Sequence, residues 1–174
     1  PTETPDILAS DDAAADLRAD AGRADIIKKG ETSNSIRASR VAKTQLYFEN
    51  RALFMTMLIK ETRALIRKAE RENLIPVVRL NGSSDIPFER VRVGEYENIM
   101  AVFPDVQFYD YTKRANRKAL PTNYHLTFSL AEDNDADART AFAHGLNVAV
   151  VFDKVPTTFN EQRVINGDET DLRF

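Results

Sequence analysis

Four short runs rich in β-branched and aromatic residues, 77–85, 106–113, 124–132 and 146–154, each end in polar side chains, and helix-like stretches separate them. This alternation predicts βα units. Crossovers of this length force neighbouring strands to be parallel and their connections to be right-handed. In parallel α/β folds, ligands sit beyond the carboxyl ends of the strands. Those ends carry Asn81, Ser83, Ser84, Asp85, Tyr109, Asp110, Lys113, Ser129, Glu132 and Asp153. The pattern says where a site would be, and it contains no complete catalytic signature.

The element reading follows from periodicity and punctuation. Residues 36–48 form a helix with a basic face. Asn50 caps a long helix over 51–72, where Leu53, Phe54, Met57, Leu58, Leu65 and Ile66 recur at three- and four-residue spacing and Pro76 prevents continuation. Strands are expected at 75–80, buried on both faces, and at 106–111, 124–129 and 147–152. An edge strand is expected at 88–93 and a short strand at 163–165. Helices fill 94–103, 113–120 and 133–144, the last opened by Asp133 or Asn134 and stopped by Gly145.

Alternate strand positions are polar: Arg79 and Asn81; Gln107, Tyr109 and Tyr111; His125, Thr127 and Ser129. A sheet covered on both faces rarely tolerates so many, whereas a concave face uses them to line a pocket. The expected fold is therefore α/β, with parallel strands in a partial (βα) barrel-like arrangement. An open doubly wound sheet is the alternative.

Length and composition narrow the function classes. The chain has 174 residues, enough for one domain, a net charge of −3 and no cysteine. Disulfides, thiolate nucleophiles and Cys-ligated zinc or iron–sulfur clusters within the chain are excluded. No run of 18 apolar residues exists, so no membrane partner is expected, and the first residues lack the regions of a signal peptide. The expectation is a cytoplasmic protein. Residues 1–34 read as a weakly ordered arm, too poor in apolar side chains to fold alone, and 35–174 as a single α/β domain.

Six blocks, RVAKTQLYFENRALFM (40–55), RLNGSSDI (79–86), QFYDYTKR (107–114), NYHLTFS (123–129), NVAVVFDK (147–154) and GDETDLRF (167–174), occur in this order. Together they resemble a family of uncharacterised bacteriophage-encoded proteins, over most of the chain from about residue 22. More distantly, the Ser-Asp, Thr-Lys and Ser sequence at successive strand ends is similar to radical S-adenosylmethionine partial barrels. Such relatives carry cluster-binding cysteines in an N-terminal segment. This chain has Asp12 and Asp16 there, so the resemblance implies a fold without its cluster, acting in a host cytoplasm if phage-encoded.

Each candidate has a functional and a structural reading. Asp85 is a general base or metal ligand, or else the cap of its turn, with Gly82, Ser83 and Ser84 offering backbone N–H groups to an anion. Lys113 holds a phosphate or carboxylate as a point charge, or opens a solvated basic helix with Arg114, Arg117 and Lys118. His125 and Ser129 share a face two pleats apart, too far for a Ser–His nucleophile pair, so His125 reads as a satisfied, partly buried ring. His144 complements a helix carboxyl end. Asp168, Glu169 and Asp171 lack calcium-loop spacing and read as an exposed turn. Arg37, Arg40, Lys43, Arg63, Arg67 and Arg71 offer phosphate contacts, but interleaved Glu49, Glu61, Glu70 and Glu72 suit solvated helix faces.

Two function classes follow. In the first, Asp85 and Lys113 are catalytic or anion-holding groups of a strand-end pocket. Arg79, Asn81, Ser83, Ser84, Tyr109, Tyr111, Ser129 and Glu132 bind a small anionic or nucleotide-like ligand there. No residue pattern names a cofactor or a metal, and enzyme status stays open. In the second, the chain is a noncatalytic binding protein for a host or phage macromolecule. The two separate on whether the polar strand ends converge on a concavity or are consumed by ion pairs such as Arg79–Asp85.

Overall fold

The computed structural model describes residues 35–82, 84–167 and 169–170. The expected arm over 1–34, Asp12 and Asp16, Ser83, and Asp168 and Asp171 of the acidic turn lie outside the described residues. The chain divides into two compact units, Pro1–Glu61 with Gly82–Ser84, and Thr62–Asn81 with Asp85–Phe174.

Helix α1 spans Ser35–Glu49 and α2 spans Arg51–Glu72. Asn50 separates them as expected, and its Oδ1 accepts the Leu53 N–H at 3.0 Å. In the first unit Tyr47 is buried, its ring meeting Phe48 and Phe54 edgewise with the Arg51 guanidinium 4.9 Å above it. In the second unit the α2 residues Thr62 and Ala69, seven apart, are both buried. Asn73 ends the helix in the left-handed region at φ 53°, and the Leu74 N–H reaches back to the Ala69 carbonyl at 2.9 Å.

The sheet is four-stranded, parallel and in chain order: β1 (Val77–Arg79), β2 (Gln107–Thr112), β3 (Tyr124–Ser129) and β4 (Asn147–Ala149). The order does not reverse, and β1 and β4 are its two edges, so the sheet does not close. Register pairs Arg79 with Tyr109, Tyr109 with His125, Tyr111 with Thr127, and Thr127 with Asn147. Burial alternates strictly along β2 and β3. Phe108, Asp110, Thr112, Tyr124, Leu126 and Phe128 are buried, whereas Gln107, Tyr109, Tyr111, His125, Thr127 and Ser129 are half-buried.

Two helices flank the strands. Helix α3 (Ile99–Val102) buries Ile99 and Met100 completely, and α4 (Asp135–Ala143) packs on β3 and β4 with Ala138 and Ala141 buried. Asn123 ties the segment before β2 to the start of β3, its Nδ2 donating to the carbonyls of Met100, Phe103 and Val106. Strands β5 (Thr158–Phe159) and β6 (Gln162–Arg163) form a hairpin whose turn residues, Asn160 and Glu161, both have positive φ.

Several expectations are corrected. Residues 88–93 are not a strand: Phe88–Arg90 is a 3₁₀ turn that buries the Phe88 ring. The helix expected over 94–103 shrinks to α3, because Gly94 has φ 59° and Val93 pairs with Tyr96 in an antiparallel bridge. Asn98 then opens α3, its Oδ1 accepting the Ala101 N–H. Residues 113–120 are irregular: side chains capture the N–H groups of Lys113 and Arg114, and Ala119 has φ 55°. The strand at 75–80 is short and lies at an edge rather than buried on both faces, with Arg79 exposed.

Candidate functional site

At the carboxyl ends of β1 and β2 the polar side chains converge on Arg117, which is fully buried although it lies in an irregular loop. Its Nε and Nη2 donate to the two carboxylate oxygens of Glu89 at 3.0 and 2.6 Å. Nη1 donates to Asp85 at 2.8 Å, and Nη2 also donates to the Tyr124 hydroxyl at 2.9 Å. A planar guanidinium suits this fork because its five donors have fixed directions.

The network continues inward. The Tyr124 hydroxyl donates to Asp110 at 2.9 Å. Asp110 also accepts from the Asn81 backbone N–H at 2.7 Å and from Asn81 Nδ2 at 2.9 Å. Asn81 exchanges a second pair of bonds with the Ile86 backbone, closing the 81–86 turn upon itself. Asp85 accepts from the Thr112 hydroxyl, the Lys113 N–H and Arg117, with Arg114 Nε 4.0 Å away. Every fully buried side-chain polar atom among the described residues has a partner, as buried groups require.

Electrostatics follow from burial. Burial pushes the Asp110 carboxyl up to about 6, against the opposing pull of its bonds from Asn81 and Tyr124 and the charge of Arg117. Burial and Asp110 also raise the Tyr124 phenol, which stays protonated. Burial opposes the charge of Arg117, but the Glu89 hydrogen bond and the surrounding negative charges outweigh it and raise its value. Arg117 is therefore a permanent cation holding two carboxylates.

Asp110 has a measurable consequence. The folded protein holds this proton more tightly than the unfolded chain does. Its stabilisation is fully present below the ordinary value of 3.8 and is lost as pH rises through about 6. Between pH 4.5 and pH 7 the group should therefore withdraw roughly 2 kcal/mol of stability. Urea denaturation at both pH values should show that Asp110→Asn removes this component. An unchanged pH difference in the variant would rule out Asp110 as its source.

The other predicted residues lie elsewhere. Arg79, Tyr109, Tyr111 and Ser129 share the half-buried sheet face with His125 and Thr127. The Arg79 guanidinium lies 4.9 Å over the Tyr111 ring, and its Nε donates to the Asn81 carbonyl. Lys113 contributes its backbone N–H to Asp85, and its side chain belongs to an exposed residue. Ser84 and Glu132 belong to the loops that follow β1 and β3. His125 has its basicity lowered by burial and lies 3.2 Å from Asn147 Nδ2. His144 caps α4, with Nδ1 3.0 Å from the Ala115 carbonyl. A cavity of about 220 Å³ near the amino ends of β3 and β4 is lined by His125, His144, Lys118 and their neighbours. Among the described residues no three His, Cys, Asp or Glu side chains gather to hold a metal ion, and no helix is long and apolar enough to cross a membrane.

Sequence reasoning missed Arg117 and Glu89 as partners, named Asp110 among the polar strand ends without its partners, and treated Tyr124 only as a strand residue. One signal was available. Asp110 alternates with Phe108 and Thr112, so it shares their face, and a carboxylate on a buried face demands donors.

Residues 27–174 match the family described as Gene product 88, a description that names no activity. No curated protein and no solved structure matches the chain.

Proposed function

The chain belongs to the Gene product 88 family, and we propose that it is a bacteriophage accessory protein that binds a nucleotide-like ligand on the half-buried face of its sheet without catalysing a reaction. The observation that carries this reading is the register, which brings Arg79, Tyr109, Tyr111, His125, Thr127 and Ser129 onto one face with no carboxylate among them. Tyrosine rings offer stacking surfaces to a base, a guanidinium suits a phosphate, and hydroxyls meet polar base edges. The strand order without reversal agrees with a singly wound, partial-barrel arrangement in which this face is the concave one. The Asp85 oxygens are occupied by Thr112, Lys113 and Arg117, and this supports binding over catalysis. The cysteine-free composition suits a cytoplasmic site of action.

Calorimetric titration with the common nucleoside monophosphates tests the reading. Tyr111→Ala should weaken the best of them by about 1–3 kcal/mol, the worth of one stacked base, with the melting temperature little changed. Absence of binding by all of them, or equal affinity in the variant, would overturn the reading. A second reading, noncatalytic contact with a host or viral macromolecule, draws on Val151, 97% exposed just beyond β4, and Val155, 47% exposed.

A further inference from the structure

We propose that the outward side of α2 docks the phosphate backbone of duplex nucleic acid, through Arg63, Arg67 and Arg71. The inference does not depend on the sheet-face ligand. All three arginines are exposed, and they follow one another at four-residue spacing, so their side chains rise from one stripe of the helix. The buried residues of the same stretch, Thr62 and Ala69, lie on the opposite side. The stripe therefore faces solvent over about 12 Å, at 1.5 Å per residue. A duplex presents one phosphate charge per roughly 1.7 Å of its axis, so several charges fall within that reach.

Three further observations point to a polyanion. None of the three guanidinium groups makes a hydrogen bond or ion pair among the described residues. The nearby acid Glu72 lies 3.9 Å from Lys68 instead. Like charges four residues apart repel along a helix, and exposed Glu70, three residues from Arg67, offsets only part of the charge of the three arginines. Charge is also segregated along the chain. Between Ser35 and Glu72 there are nine Lys and Arg against four Glu, whereas the whole chain carries −3. The remainder is acidic, which disfavours non-specific wrapping.

Fluorescence anisotropy of a labelled 20-base-pair duplex of arbitrary sequence, titrated with the full chain across a salt series, tests this. The variant Arg63→Gln/Arg67→Gln/Arg71→Gln should bind roughly tenfold or more weakly. The slope of log affinity against log salt should shrink by between 2 and 3, at about 0.9 per lost phosphate contact. The charge-preserving variant Arg63→Lys/Arg67→Lys/Arg71→Lys should keep the slope. Circular dichroism of each variant confirms the fold, since all three sites are exposed. No binding by the native chain, or the same salt slope in the glutamine variant, would overturn the proposal. Because the readout uses duplex rather than mononucleotide and touches no sheet residue, failure here leaves the sheet-face reading standing, and the reverse holds as well.

Discussion

Arg117→Ala lowers the stability of the folded protein by about 3–5 kcal/mol, the usual cost of removing one partner from a buried ion pair. The side chain is 1% exposed, and it touches Asp85, Glu89 and Tyr124 together. Removing it takes both close donors from Glu89, 5% exposed, leaving Arg90 Nε 3.9 Å away, and takes one of the donors from Asp85. Tyr124 keeps its bond to Asp110 but loses the cation beside its oxygen. Lysine is a poor substitute, because a point charge cannot face two oxygens of Glu89 and one of Asp85 at once. Urea denaturation at neutral pH measures the effect as a lower midpoint with an unchanged slope. A loss below about 1 kcal/mol would mean that the network is dispensable and that water replaces the guanidinium without penalty.

Phe108→Ala should cost a similar amount, about 3–5 kcal/mol, by a different mechanism. The ring is fully buried near the start of β2, paired in register with Val78 on one side and Tyr124 on the other. Its loss forfeits transfer free energy and leaves a cavity that parallel strands, fixed by hydrogen bonds on both sides, cannot collapse to fill. Thermal unfolding should show the melting temperature falling by on the order of 10 °C or more, at about 2–4 °C per kcal/mol for a chain of this length. Phe108→Leu, which retains most of the volume, should recover most of the loss. Equal damage from the two variants would argue against a cavity as the cause.

The sheet was legible because its signal is local. Strand β3 has the bounds its alternation predicts, and the long helix α2 has those set by Asn50 and Pro76. The face assignment of Gln107, Tyr109 and Tyr111, and of His125, Thr127 and Ser129, also follows from period two alone. What failed was local propensity where long-range bonds compete with it. Residues 113–120 carry good helix formers, yet Asp85 and Thr112, distant or preceding in sequence, take the first N–H groups a helix would have used. Residues 88–93 alternate like a strand, yet burial of Phe88 bends them into a turn. Asp85 was placed at the right end of the sheet, and its partners were not found. The ion pair with Arg117 spans 32 residues, and no spacing rule reaches that far. The pairing imagined for it, with Arg79, gives way to Arg117 and Arg114.

The strict alternation in β2 and β3 also bears on how such a protein diversifies. Along these strands the even-numbered positions hold the packing and the ionic network, and the odd-numbered ones line the half-buried face. The packed core and the half-buried face are thus written on interleaved letters of the same two words. A lineage can rewrite the side chains at 107, 109, 111, 125, 127 and 129 while every buried neighbour stays in place.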